Sequence, residues 1–160
     1  MKAGEKFVLG SIAAILLFSV VRSELHVKQE HERDIPYYST ATREVAEKAN
    51  EIYRANGCKE CHSLWTMKDM METVPAPILD GIGSLRTEAW LYDYLSSGNP
   101  QTILPSRLKK QYKMPSYASL PESDRRVLSE YLASLKVKDW YLEQTRKAEY
   151  EKLTGQEYKK

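Results

Sequence analysis

Cys58 and Cys61 are separated by two residues in NGCKECHSL, and His62 directly follows the second. They are the only cysteines in the chain, so whatever they do they do as a pair. The arrangement has three chemical uses: a redox dithiol, part of a zinc site, or two thioether anchors for haem with a histidine beneath the iron. A thioredoxin-like dithiol belongs where a strand runs into a helix, and no strand pattern precedes this one. Structural zinc takes four ligands; Cys58, Cys61 and His62 supply three, with His62 awkwardly close to Cys61 for chelating the same ion. C-x-x-C-H is instead the specific signal for covalent c-type haem. A structural disulfide between Cys58 and Cys61 is the remaining use of the pair.

Haem iron held by one histidine has a second axial position to fill, and a methionine thioether is one filler. Met67, Met70 and Met71 follow His62 so soon that reaching the opposite face of a ring would need an abrupt reversal. Met114, in the loop KMPSY, comes after enough chain to pass round the ring. A lone methionine also serves as ordinary core filler, and both uses stay open on the residues alone.

Helices are the elements available to position these groups. TREVAEKANEIYRANG sets Val45, Ala49, Ile52 and Tyr53 on one face, with Asn56-Gly57 as the stop. The cysteines therefore fall just past a helix end. Thr87 suits the cap of TEAWLYDYLSSG, with a stripe of Trp90, Leu91, Tyr94 and Leu95. In LPESDRRVLSEYLASLK, Pro121, Glu122 and Asp124 suit a helix start, and Val127, Leu128, Tyr131, Leu132 and Leu135 form the buried face. No alternating β-branched run is long enough to predict a sheet.

The 160 residues, 42% hydrophobic and 29% charged, suit one globular domain with appendages. A net charge of +2 gives no footprint for nucleic acid. FVLGSIAAILLFSVV, Phe7 to Val21, is uncharged and would span about 22 Å as a helix, against a hydrocarbon core of about 30 Å. Flanking Lys6 and Arg22 extend that reach by snorkelling. The segment is expected to be a retained membrane anchor, with a cleaved export signal as the rival; VVRSELHVKQE lacks a clear pair of small residues for cleavage. The division expected is an anchor at 1–22, a charged stalk at 23–41, a domain at 42–136 and a charged, aromatic tail at 137–160. His26 and His31, in the stalk, are read as solvated.

Residues 42–136 resemble the class I c-type cytochromes in their small, single-haem, membrane-anchored bacterial form. The likeness rests on IYRANGCKECHS, PAPILDGIGSLRTEAWLYDYL, KMPSY and LPESDRRVLSEYLASL. It implies an all-α cytochrome c fold around one covalent haem c, after one N-terminal transmembrane helix. It implies that Tyr53 and Tyr131 meet where the first and last haem-domain helices cross. The carbonyl of Pro77 is implied as acceptor of the His62 ring proton, and Met114, in the family's ligand loop, as sixth ligand, making His62 and Met114 the metal ligands. Arg86 is a candidate partner for a haem propionate.

Between Tyr94 and Pro121 there is no acidic residue, while Arg107, Lys109, Lys110 and Lys113 supply cations beside the proposed ligand loop. That is either a solvated face or a surface that steers an acidic redox partner. The tail's Trp140, Tyr141, Tyr150, Leu153 and Tyr158 suggest contact with a larger membrane complex. The expected function is single-electron transfer without bond chemistry, by a single-pass protein of the bacterial inner membrane with its haem domain on the periplasmic side. The resemblance extends to the anchored cytochrome subunits of nitric oxide reductases and haem-copper oxidases. A haem-based gas sensor and a haem-free module stapled between Cys58 and Cys61 are the alternatives.

Overall fold

A computed structural model describes residues 3–31, 35–65 and 76–159. The chain divides into two units, Met1–Ile35 and Pro36–Lys160. Among its described residues the first contains one helix, α1 (Ala3–His31). Ile12, Ile15, Leu16, Leu17, Phe18, Val20 and Val21 on α1 are all at least half exposed. Among the described residues no helix is long and apolar enough to cross a membrane. Met67, Met70 and Met71, and the side chains of His26 and His31, lie outside the described residues.

The second unit runs through β1 (Tyr37–Ser39), α2 (Arg43–Ala55), α3 (Glu88–Ser96), α4 (Glu122–Ser134), β2 (Leu135–Val137) and α5 (Asp139–Thr154). The sequence's helix signals act as expected. Thr42 caps α2 by accepting from the Val45 amide at 3.3 Å, and Thr87 caps α3 through the Trp90 amide at 3.2 Å. Gly57, just past α2, takes the left-handed conformation (φ 67°) that ends the helix without a Cβ penalty.

α4 packs against both α2 and α3. The core between them is Ala49, Ile52 and Tyr53 from α2, Leu91 and Leu95 from α3, and Leu128, Tyr131, Leu132 and Leu135 from α4 and its end. Each fully buried leucine contributes about 1.5–3 kcal/mol relative to exposure. Gly83, in a short 3-10 turn at Ile82–Ser84, lies against the last turn of α4, where any Cβ would collide with the Ala133 carbonyl.

Three features differ from the sequence reading. β1 and β2 form a two-stranded antiparallel ladder, Tyr37 opposite Val137 and Ser39 opposite Leu135, where no sheet was expected. Strands this short leave no alternation to read. The unit also begins at Pro36, so Tyr37–Ser39, assigned to the stalk, belong to the haem-motif unit, tied in further by Ser39 Oγ to Ser134 Oγ at 2.9 Å. Finally, residues 137–160, expected as a charged, aromatic tail in contact with a larger complex, include α5, which packs on its own unit. Tyr141 meets Tyr37 edge-on at 5.6 Å, and Lys152 Nζ donates to the Ala76 carbonyl at 3.5 Å.

Candidate functional site

The α2 stop puts Cys58 at the start of a 3-10 turn, Cys58–Glu60, whose geometry carries straight into the histidine: the His62 amide donates to the Cys58 carbonyl at 3.0 Å. No disulfide joins Cys58 and Cys61. Tyr53, from the buried face of α2, donates its hydroxyl to the His62 carbonyl at 2.8 Å, which fixes the motif to the core. Tyr131, the other residue of the expected aromatic pair, is 2% exposed in α4 and accepts from Trp65 Nε1 at 3.3 Å.

The His62 ring is oriented by the chain segment at Pro77. Its Nδ1–H donates to the Pro77 carbonyl at 2.8 Å, a bond that fixes the tautomer with the lone pair on Nε2 and raises the basicity of that nitrogen. The Pro77 segment is held in register with the motif, because the Leu79 amide donates to the Ser63 carbonyl at 3.1 Å and Asp80, 4% exposed, accepts from the Trp65 amide.

Cys58, Cys61, His62, Pro77, Arg86 and Met114 all line one cleft of about 430 Å³. Its walls are mainly apolar, including Leu79, Ile82, Leu91, Leu95, Leu104, Leu128 and Leu132. The Met114 loop is held in place by several bonds. Gln101 Nε2 donates to the Met114 carbonyl at 3.4 Å, and Ser116 Oγ to the Ser97 carbonyl at 2.8 Å. Tyr117 closes the loop onto the motif: its hydroxyl donates to the Asn56 carbonyl at 3.3 Å and sits 4.0 Å from Cys58 Sγ. Burial pushes the Cys58 thiol above its ordinary pKa, and burial, with the neighbouring Cys58, does the same to the Tyr117 phenol.

Arg86 has partners within the protein. Its Nη2 lies 2.9 Å from Glu149 Oε1, its Nη1 donates to the Leu85 carbonyl at 2.9 Å, and its guanidinium lies 5.0 Å over the Trp90 ring. The basic loop is divided. Lys109 and Lys110 are exposed and Lys113 lines the cleft, whereas Arg107 is drawn to α5, its Nε donating to the Lys152 carbonyl at 3.4 Å.

Sequence reasoning missed Glu149 and Leu153, which line the same cleft from α5, and the buried Asp80. The approach of α5 depends on long-range packing with no local signature. Asp80 had a weak one, as the acid of an LDG turn.

Two thiols, an imidazole with its second nitrogen oriented, a thioether and apolar walls form the donor set and environment that a covalent haem takes, so the residues fit that group. Comparison with curated proteins and with solved structures found no match. The family model described as Cytochrome c matches residues 46–136, more than half of the chain. With its C-x-x-C-H thiols and histidine gathered on that cleft, the chain belongs to the cytochrome c family and carries covalently bound haem c as an electron-transfer protein.

Proposed function

We propose that this c-type cytochrome is a membrane-tethered electron carrier whose haem lies in the cleft lined by α2, α3 and α4, bound by Cys58 and Cys61 and ligated by His62 and Met114. The observation that carries the reading is the 2.8 Å bond from His62 Nδ1 to the Pro77 carbonyl, made on the cleft that both thiols and Met114 also line. Haem c supplies the reversible one-electron couple. Cys58 and Cys61 anchor it by two thioethers, while Pro77 aims the His62 Nε2 lone pair at the metal. Met114 would supply a soft sulfur ligand that favours ferrous iron and leaves no coordination site for a gas, which suits a carrier rather than a gas sensor.

The uncharged run Phe7–Val21 and the exposure of every described apolar side chain from Ile12 to Val21 support its use as a single-pass anchor. Lys6 and Arg22 would reach the headgroups on either side. The haem unit then lies on the periplasmic face of a bacterial inner membrane. Exposed Lys109 and Lys110, near the Met114 loop, support docking of an acidic redox partner there. Trp140, 58% exposed at the start of α5, supports contact with a larger respiratory membrane complex.

The test has three parts. Haem should survive acid-acetone extraction, and serine at both Cys58 and Cys61 should prevent its attachment. Met114→Ala should lose the near-infrared sulfur-to-iron band of the oxidised protein and gain carbon monoxide binding when reduced, while alanine at Met67, Met70 or Met71 leaves the band in place. A band that survives Met114→Ala removes the ligand assignment. Retention on membranes through alkaline carbonate washing tests the anchor.

A further inference from the structure

The family match ends at residue 136, and α5 begins after it, at Asp139. Even so, α5 brings an acidic side chain, Glu149, to the lining of the haem cleft. Glu149 meets Arg86 at 2.9 Å with only 17% and 22% of the two side chains exposed. Both charges are therefore largely withdrawn from water, where they act on each other and on nearby charge far more strongly than exposed pairs do.

The approach is held at several points along the helix. Lys152 Nζ reaches the carbonyl of Ala76, the residue before Pro77. Arg107 Nε reaches the Lys152 carbonyl, and its guanidinium lies so close to Gly155 that a Cβ there would collide with it. Gly155 takes the left-handed conformation (φ 69°) that terminates α5 at this point. α5 thus bridges the Pro77 segment, which orients His62, and the loop leading to Met114.

We propose that Glu149 is a positioning residue for electron transfer: from α5 it fixes Arg86 at the cleft and lowers the haem reduction potential relative to an unopposed Arg86. The physical reason is Coulombic. Oxidised haem carries one more positive charge than reduced haem, so a partly buried carboxylate favours the oxidised form and a partly buried guanidinium favours the reduced form. Locked together, the two nearly cancel. Burial holds the Glu149 carboxyl above its ordinary pKa, with Arg86 pulling it back. The other charged or titratable groups around the adjoining α5 groove are Tyr37, Asp80 and Arg107 from the packed elements, and Tyr141, Glu151 and Lys152 on α5 itself. The inference rests on haem occupying this cleft.

The experiment is redox titration of the haem-loaded full chain. Glu149→Gln should raise the midpoint potential, Arg86→Gln should lower it, and the double variant should return close to the unmodified value. Glu151→Gln makes the same charge change two residues along α5, where the ion pair with Lys147 is more exposed, and should shift the potential less. A Glu149→Gln shift no larger than that of Glu151→Gln, or of opposite sign, overturns the proposal. If Glu149→Gln fails to mature, the unmodified protein decides. Its reduced-minus-oxidised infrared difference spectrum should contain a carboxyl band that moves on ¹³C-carboxyl labelling of glutamate and is lost in Glu149→Asp; absence of that band, or its persistence in Glu149→Asp, overturns the proposal. Failure of the unmodified protein to show covalent haem would instead refute the reading on which the inference rests.

Discussion

α1 is apolar through Phe7–Val21, yet Ile15, Leu17 and Phe18 are 67–68% exposed. α5 has charges along its whole length and no fully buried residue, yet it fits onto its unit through Glu149, Lys152 and Leu153. Taken separately, each within its own unit, the two helices show that hydropathy and docking are different properties. Apolar area says which medium a helix needs. Specific partners decide whether a polar helix docks: Glu149 pairs with Arg86, Lys152 donates to the Ala76 carbonyl and Leu153 joins the apolar cleft wall.

Cutting away each helix is the most severe way to break this comparison. Replacing residues 1–31 by a cleavable export signal should move the protein, if α1 is its anchor, wholly from the membrane fraction to the soluble one while its haem spectrum and thermal midpoint stay unchanged, as fractionation and thermal melts would show. A stop after Lys138, removing α5, should have the reverse effect. The truncated protein stays on the membrane but loses about 2 kcal/mol or more in denaturant unfolding, because the Arg86–Glu149 pair, the Lys152 bond to the Ala76 carbonyl and the burial of Leu153 against the cleft are all lost.

A gentler test uses pH. The folded Glu149 carboxyl has its pKa raised above the ordinary 4.5, so it binds its proton more tightly in the folded state than in the unfolded chain. The stability this contributes is fully present below about 4.5 and is lost as pH rises through the raised folded value. Denaturant midpoints of the unmodified protein, measured against Glu149→Gln, should therefore decline across that window and level off above it. A difference that stays flat with pH would mean that burial does not govern this carboxyl. The smallest effect is expected at Lys147, whose pair with Glu151 is 3.8 Å long and largely exposed. Lys147→Ala should cost no more than about 0.5 kcal/mol in the same assay.

The elements legible in the sequence were those with local causes. α2, α3 and α4 announced themselves through 3.6-residue stripes and threonine or proline starts, and Cys58, Cys61 and His62 form a contiguous motif. Pro77 was reached through the family resemblance, Met114 through its distance from His62 together with that resemblance, and Arg86 as a cation able to meet a propionate; all three line one cleft. β1 and β2, at three residues each, are shorter than any pattern that could identify them. α5 read as a charged, aromatic tail for contact with another protein, and the pairing of Glu149 with Arg86 depends on folding between residues distant in sequence. Arg86 shows the same limit from the other side. Its chemistry suggested a propionate partner, while among the described residues it pairs with Glu149.

The β1–β2 ladder also bears on the order of events during synthesis. Tyr37 pairs with Val137, so the unit's first strand waits for its partner until almost all of the unit has been made. α4, which packs on α2 and lines the cleft with Leu128 and Leu132, also comes late in the chain, at Glu122–Ser134. Chains emerge N-terminus first, and contacts between distant segments must await closure of the intervening loop. Cys58 and Cys61 therefore leave the ribosome ahead of the elements that later cover them, and they pass through a period of accessibility before the nascent chain is able to close.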